Sequence, residues 1–165
     1  MSQFLFEAYH SVKNILELKI PPVVVLLVLA IMMWFSAKNF PFLALNSGFN
    51  VVIAAVIAVS GCGMVMAGSR SFHRAGTTVN PMKPETTTSL VTEGVYRFSR
   101  NPIYLGLAII LSSWGIYLSD LLSLIFVCFF IIYMNHFQIQ PEERILQKLF
   151  GACFERYKSQ VRRWL

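Results

Sequence analysis

Glu142 and Glu143 stand side by side at the end of a long apolar stretch, within the segment Gln138–Arg144. A second polar cluster, Thr86–Gly106, precedes and enters another apolar stretch and carries Tyr96, Arg97, Arg100, Asn101, Pro102 and Tyr104. Carboxylates at a membrane boundary can hold a cationic or polar ligand, or take a proton from one. Aromatic faces nearby can tolerate a cation. Each residue also has an ordinary structural explanation. Acids in a helix's first turn gain roughly 0.3–1 kcal/mol from the macrodipole. Arg97 and Arg100 suit cytoplasmic anchors, and Tyr96 and Tyr104 suit interfacial aromatics. Pro102 suits the first position of a helix. Gly106, and the Gly61-Cys62-Gly63 run, suit close helix packing.

Other chemistry finds little support. His73 and His136 lack partners at metal-ligand spacing, so no metal site is expected. No Ser-His-Asp or Cys-His set is present to activate a nucleophile. Cys62, Cys128 and Cys153 sit singly in apolar stretches and read as small buried hydrophobes.

The elements that must position these residues follow from hydropathy. Of 165 residues, 56% are hydrophobic and 13% charged, about half the charged share of a soluble domain. Charge-free runs cover Ile20–Ala37, Asn39–Ser69, Asn101–Ser119 and Leu121–Pro141. A bilayer crossing takes about 20 such residues, and within one segment only a helix satisfies its own backbone in hydrocarbon. The expectation is therefore an all-α membrane protein with four transmembrane helices, near 20–37, 49–67, 102–118 and 121–139. At this length the chain reads as a single integral membrane domain over 1–165. Phe40–Leu45 reads as an interfacial loop, and Met1–Lys19 as a polar segment that is not a cleavable signal.

Net charge is +6, and the charges are clustered. The loop between spans two and three carries Arg70, Arg74, Lys83, Arg97 and Arg100. The segment after span four carries Arg144, Lys148, Arg156, Lys158, Arg162 and Arg163. By the positive-inside rule both ends and the long loop are cytoplasmic. The clusters mark membrane topology rather than nucleic-acid binding, which no basic run with interleaved aromatics suggests. Ser119-Asp120 leaves room only for a tight hairpin between spans three and four. That hairpin puts Thr86–Gly106 and Gln138–Arg144 at one membrane depth. After Pro141, Leu146, Phe150, Cys153, Tyr157, Val161 and Trp164 recur at helical spacing, predicting a C-terminal amphipathic helix opened by Pro141. Gly151 either interrupts it at about 1 kcal/mol or breaks it.

The order LVTEGVYRFSRNPIYLG, then EERILQKLFGACFERYKSQV, resembles the isoprenylcysteine carboxyl methyltransferase family and the related phospholipid N-methyltransferases. The matching elements are Arg100, Asn101, Pro102, Tyr104, Gly106, Glu142, Glu143, Leu146, Phe150, Gly151 and Tyr157. The resemblance implies an S-adenosylmethionine-dependent integral membrane methyltransferase. Its acceptor would be a lipophilic or lipidated substrate, admitted from the bilayer among membrane lipids. It implies cofactor-site segments at 76–106 and 138–157. Cofactor contacts are implied at Ser89, Leu90, Val91, Tyr96, Asn101, Pro102, Tyr104 and Glu142, with Gly61 and Gly63 added from the phospholipid enzymes. Catalytic roles fall to Glu142, Glu143 and Arg100. A carboxylate acceptor needs no base; an amine acceptor must lose a proton, which Glu143 could take. Two departures stand out. Asn101 replaces the His of the carboxyl methyltransferases, and Gln138 stands where they carry an Arg. Phospholipid-type amine methylation is the alternative activity. A sterol-reductase-like enzyme, a non-enzymatic membrane subunit and a transporter are the other readings.

Overall fold

The computed structural model describes residues 16–39, 49–77 and 80–165. The expected interfacial loop at 40–45 and most of the polar segment at 1–19 lie outside the described residues. Four apolar helices are present: α1 Pro22–Asn39, α2 Asn50–Arg74, α3 Pro102–Leu118 and α4 Ser123–Tyr133. A π-helical turn, Met134–Ile139, carries α4 directly into α5, Gln140–Gln160. The all-α membrane architecture expected from hydropathy is thus observed. At 1.5 Å per residue, the 38 residues from Ser123 to Gln160 run to roughly 57 Å. Only the stretch to about Ile139 is needed to cross, and α5 extends beyond the bilayer.

The outward faces of α1 and α2 are apolar. Ile31, Phe35, Val56 and Val59 are all more than half exposed, as lipid-facing residues should be. Cys62, Cys128 and Cys153 are also exposed, which corrects their expected burial. A small thiol is apolar enough to face lipid as readily as a core.

Backbones approach closely where α2 crosses α3. A Cβ at Gly61 would stand 2.8 Å from the Gly106 carbonyl oxygen, and one at Gly106 would stand 2.7 Å from that of Gly61. Only glycine permits this contact. Trp114 Nε1 donates to the Ala30 carbonyl at 3.0 Å, tying α3 to α1. Met33, Leu107, Leu111, Phe130 and Met134 fill the space between α1, α3 and α4.

The α3–α4 hairpin is as tight as expected. Ser119 takes a left-handed conformation at φ 54° and ends α3. The Asp120 carboxylate accepts from the Leu122 amide and the Ser123 hydroxyl, starting α4.

Pro141 stands in the first turn of α5, as expected, although the chain enters that helix from the π turn without a break. A proline inside a helix leaves the carbonyl four residues back without its donor. That carbonyl, Phe137, accepts instead from the Leu18 amide at 3.0 Å, and the wide π turn carries the chain through. Gly151 is non-helical, at φ 48° and ψ −121°, and kinks α5. The kink also shifts the apolar face. Phe154 is buried rather than Cys153, and packs with Tyr157, Val161, Leu90, Leu146 and Phe150.

Candidate functional site

The loop from α2 to α3 folds over the end of the bundle in two short 3-10 turns, Pro84–Thr86 and Gly94–Arg97. Its local bonds are specific. The Thr88 amide donates to Thr77 Oγ1 at 3.0 Å, and the Ser89 hydroxyl donates to the Ala75 carbonyl at 3.1 Å. Gln138, almost wholly buried in the π turn, donates from Nε2 to the Pro81 carbonyl at 2.6 Å. The second turn presents Tyr96, whose ring meets Phe72 edge-on at 5.4 Å. Its carbonyl accepts from the Tyr157 hydroxyl at 2.7 Å. The loop is therefore pinned to α2, to the π turn and to α5.

Beneath it lies a cavity of about 230 Å³. Its membrane-side wall is Pro22 and Val23 of α1, Val65 of α2, and Ile103 and Leu107 of α3. Its opposite wall is polar, with Asn80, Ser89, Tyr96, Asn101, Tyr104, Glu142 and Glu143. A single space thus touches both apolar spans and the polar rim.

The two neighbouring carboxylates have different company. Glu142 accepts from the Tyr104 hydroxyl at 3.1 Å, which is its one hydrogen-bond partner among the described residues. Its carboxyl is pushed up to about 7. Burial is the main cause; the Tyr104 bond opposes it, and the adjacent Glu143 adds to it. Burial likewise pushes the Tyr96 phenol well up, with Glu142 and then Tyr157 adding to the effect. Glu143, by contrast, is fully occupied. Arg100 Nη2 donates to its Oε1 at 2.8 Å. Arg163 donates from Nη2 to Oε2 at 2.6 Å and from Nε to Oε1 at 3.2 Å. Arg100 also donates from Nη1 to the Lys158 and Val161 carbonyls.

Most residues singled out from the sequence meet here. Ser89, Leu90, Val91, Tyr96, Arg100, Asn101, Tyr104, Glu142 and Glu143 all line the cavity. Three do not. Gly61 is buried against Gly106, and Gly63 has nothing within 4 Å of where a Cβ would stand. Pro102 is buried in the α2–α3 contact, its ring 3.5 Å from a Cβ placed on Gly68. The site also recruits residues that sequence reasoning passed over, including Phe72, Asn80 and Phe154, together with Leu146 of the family-matching set. Arg163 had looked like one more cytoplasmic charge. Its sequence signal is only its place three residues beyond α5.

A phospholipid methyltransferase family model matches residues 49–153, from the start of α2 into α5. An uncharacterized protein of Haemophilus influenzae is 44% identical over 63 residues, which cover 38% of this chain and 100% of that relative. No solved structure matches the chain significantly.

Proposed function

The chain belongs to the phospholipid methyltransferase family, an integral membrane methyltransferase by that membership, and on this premise we propose that it transfers a methyl group from S-adenosylmethionine to a lipophilic amine. The observation that carries the reading is Glu142, a carboxylate on the cavity wall with no ion-pair partner among the described residues, bonded only to Tyr104.

The cavity residues suit such a cofactor. A cationic ligand would find its counter-charge in Glu142 and the rings of Tyr96 and Tyr104 beside it. Asn80, Ser89 and Asn101 offer polar atoms along the same wall. Arg100, also on the wall, keeps a buried Nε–H without a partner among the described residues, a donor suited to a ligand's carboxylate or hydroxyl oxygen. S-adenosylmethionine supplies an electrophilic methyl when bound. The chain's own contribution is to align the reacting groups and exclude water, between apolar helices on one side and the pinned loop on the other.

The resemblance to isoprenylcysteine carboxyl methyltransferases favours a carboxylate acceptor, and two observations favour an amine. Among the cavity-lining residues the one guanidinium, Arg100, is already engaged with Glu143. Gln138, at the position of the family's Arg, is turned to the Pro81 carbonyl. An amine acceptor needs a proton acceptor. Glu142, pushed up to about 7, matches that task near neutral pH. Both oxygens of Glu143 are taken by arginines, so this role passes from Glu143 to Glu142. Arg100 then serves the rim's architecture rather than the substrate. The basic charge of the loop and of α5 supports a cytoplasmic side for this rim, the side from which a polar cofactor would enter.

The test is incubation of the purified chain with methyl-labelled S-adenosylmethionine and defined membrane lipids. Label in an amine headgroup lipid supports the reading. Label only in a carboxyl ester, released by mild base, overturns the amine assignment. No transfer to any lipid overturns the activity.

A further inference from the structure

Beyond α5 the backbone turns extended at Val161, with φ −124° and ψ 133°, and runs back across the mouth of the bundle. This stretch is bound at every residue. The Arg162 carbonyl accepts from the Arg100 amide at 3.0 Å. The Arg163 carbonyl accepts from Asn101 Nδ2 at 3.0 Å and from the Ser99 hydroxyl at 3.4 Å. The Arg163 guanidinium forks onto both oxygens of Glu143. Trp164 Nε1 donates to Asn135 Oδ1 in the π turn at 3.1 Å, and its ring packs at the edge of the bundle core. Three consecutive residues thus join the entrance of α3, the first turn of α5 and the π turn, the elements that carry Asn101, Glu142 and Glu143.

We propose that Arg162–Trp164 is a strap closing the polar rim of the site, its backbone holding Arg100 and Asn101, and that the Arg163 side chain is a positioning group acting through Glu143. The strap lies beyond residues 49–153, the extent of the family match. The fork is directional, because two parallel N–H···O bonds fix the carboxylate plane as one ammonium contact does not. Glu143 is held by that fork, so the adjacent Glu142 is left turned to Tyr104. The side chains of Arg100 and Glu143 are only 12% and 15% exposed. Loss of the Arg163 side chain would therefore leave a nearly buried carboxylate half-paired, while the backbone carbonyl that Asn101 meets stays in place.

The functional half of this proposal rests on the S-adenosylmethionine reading, and the experiment separates the two. The full chain in detergent carries Arg163→Gln or Arg163→Lys, and two quantities are read: hydrogen exchange of the Arg100 amide, and affinity for S-adenosylmethionine. Exchange at Arg100 is expected to quicken at least tenfold in Arg163→Gln. Unchanged exchange overturns the strap, whether or not any ligand binds. Affinity is expected to fall at least tenfold in Arg163→Gln and to recover only in part in Arg163→Lys, which restores the charge without the fork, with melting moved by only a few degrees. Affinity equal to wild type in Arg163→Gln overturns the positioning role. If Arg163→Gln does not fold, Trp164→Phe, which removes the bond to Asn135 and trims the ring's packing, is expected to weaken affinity about threefold; no change overturns the proposal. Faster exchange in a protein whose wild type binds no S-adenosylmethionine sustains the strap and overturns the cofactor reading.

Discussion

Glu142 and Glu143 are adjacent on the first turn of α5, yet they belong to separate networks. Glu142 meets the Tyr104 hydroxyl at 3.1 Å, whereas Glu143 is gripped by Arg100 and Arg163 at 2.8 and 2.6 Å. One acid lines the cavity without a counter-charge among the described residues, and the other is held in the frame. Neutralising them should therefore have opposite consequences for stability.

Glu143→Gln leaves Arg100 and Arg163 facing an amide. Breaking a buried pair by removing one partner costs about 3–5 kcal/mol. Arg163 is a third exposed, so a loss of roughly 2–3 kcal/mol is expected after allowance for solvent. Thermal unfolding in detergent at pH 8 should show a clear drop in melting temperature.

Glu142→Gln should do the reverse at that pH. Its folded carboxyl sits at about 7, above the ordinary 4.5, so the fold disfavours the charged form. That cost builds as pH rises from 4.5 to 7 and is complete above 7. The variant should melt roughly 2–4 °C higher than wild type at pH 8 and level with it at pH 4. A lower melting temperature at pH 8 would show that the Glu142 charge is structural.

The same shift sets a pH dependence for binding. Below about 7 the Glu142 carboxyl is protonated and offers no counter-charge; above it the carboxylate is present. Affinity for S-adenosylmethionine should rise about tenfold from pH 6 to pH 8, as expected for one group titrating near 7. In Glu142→Gln the profile should be flat. Titration by calorimetry at four pH values reads both.

Gly61 and Gly63 should part company. Gly61→Ala places a Cβ 2.8 Å from the Gly106 carbonyl oxygen, while Gly63→Ala meets nothing. Overpacking costs about 1–3 kcal/mol, so Gly61→Ala should melt clearly lower and Gly63→Ala within a degree or so of wild type. Equal melting of the two would remove the proposed α2–α3 contact.

Much of this arrangement was legible in the residues, because the strongest signals were physical ones. Charge-free runs set the four apolar helices, and Ser119-Asp120 set the tight hairpin. The meeting of Tyr104 with Glu142 followed from that hairpin. Less legible was what depends on helix phase. The π turn and the kink at Gly151 each shift the face of α5, which is why Phe154 rather than Cys153 is buried. Pro141 signals a helix start in sequence, but the Phe137 carbonyl it leaves without a donor is met by the Leu18 amide, a partner remote in the chain. Gly61 and Gly63 lie two residues apart, on different sides of one helix, so a Gly-x-Gly spelling could not reveal that only Gly61 meets a neighbour. Arg163 was hidden among six basic residues of similar appearance, and only its contact with Glu143 sets it apart.

The central claim is that Glu142 anchors the cofactor. The most direct measurement is S-adenosylmethionine binding to the purified full chain at pH 8, wild type against Glu142→Gln. The account predicts saturable binding by wild type, weakened at least tenfold in the variant while the protein stays folded. Equal affinity in the folded variant would contradict it, and absence of binding by the wild type would contradict the cofactor assignment altogether.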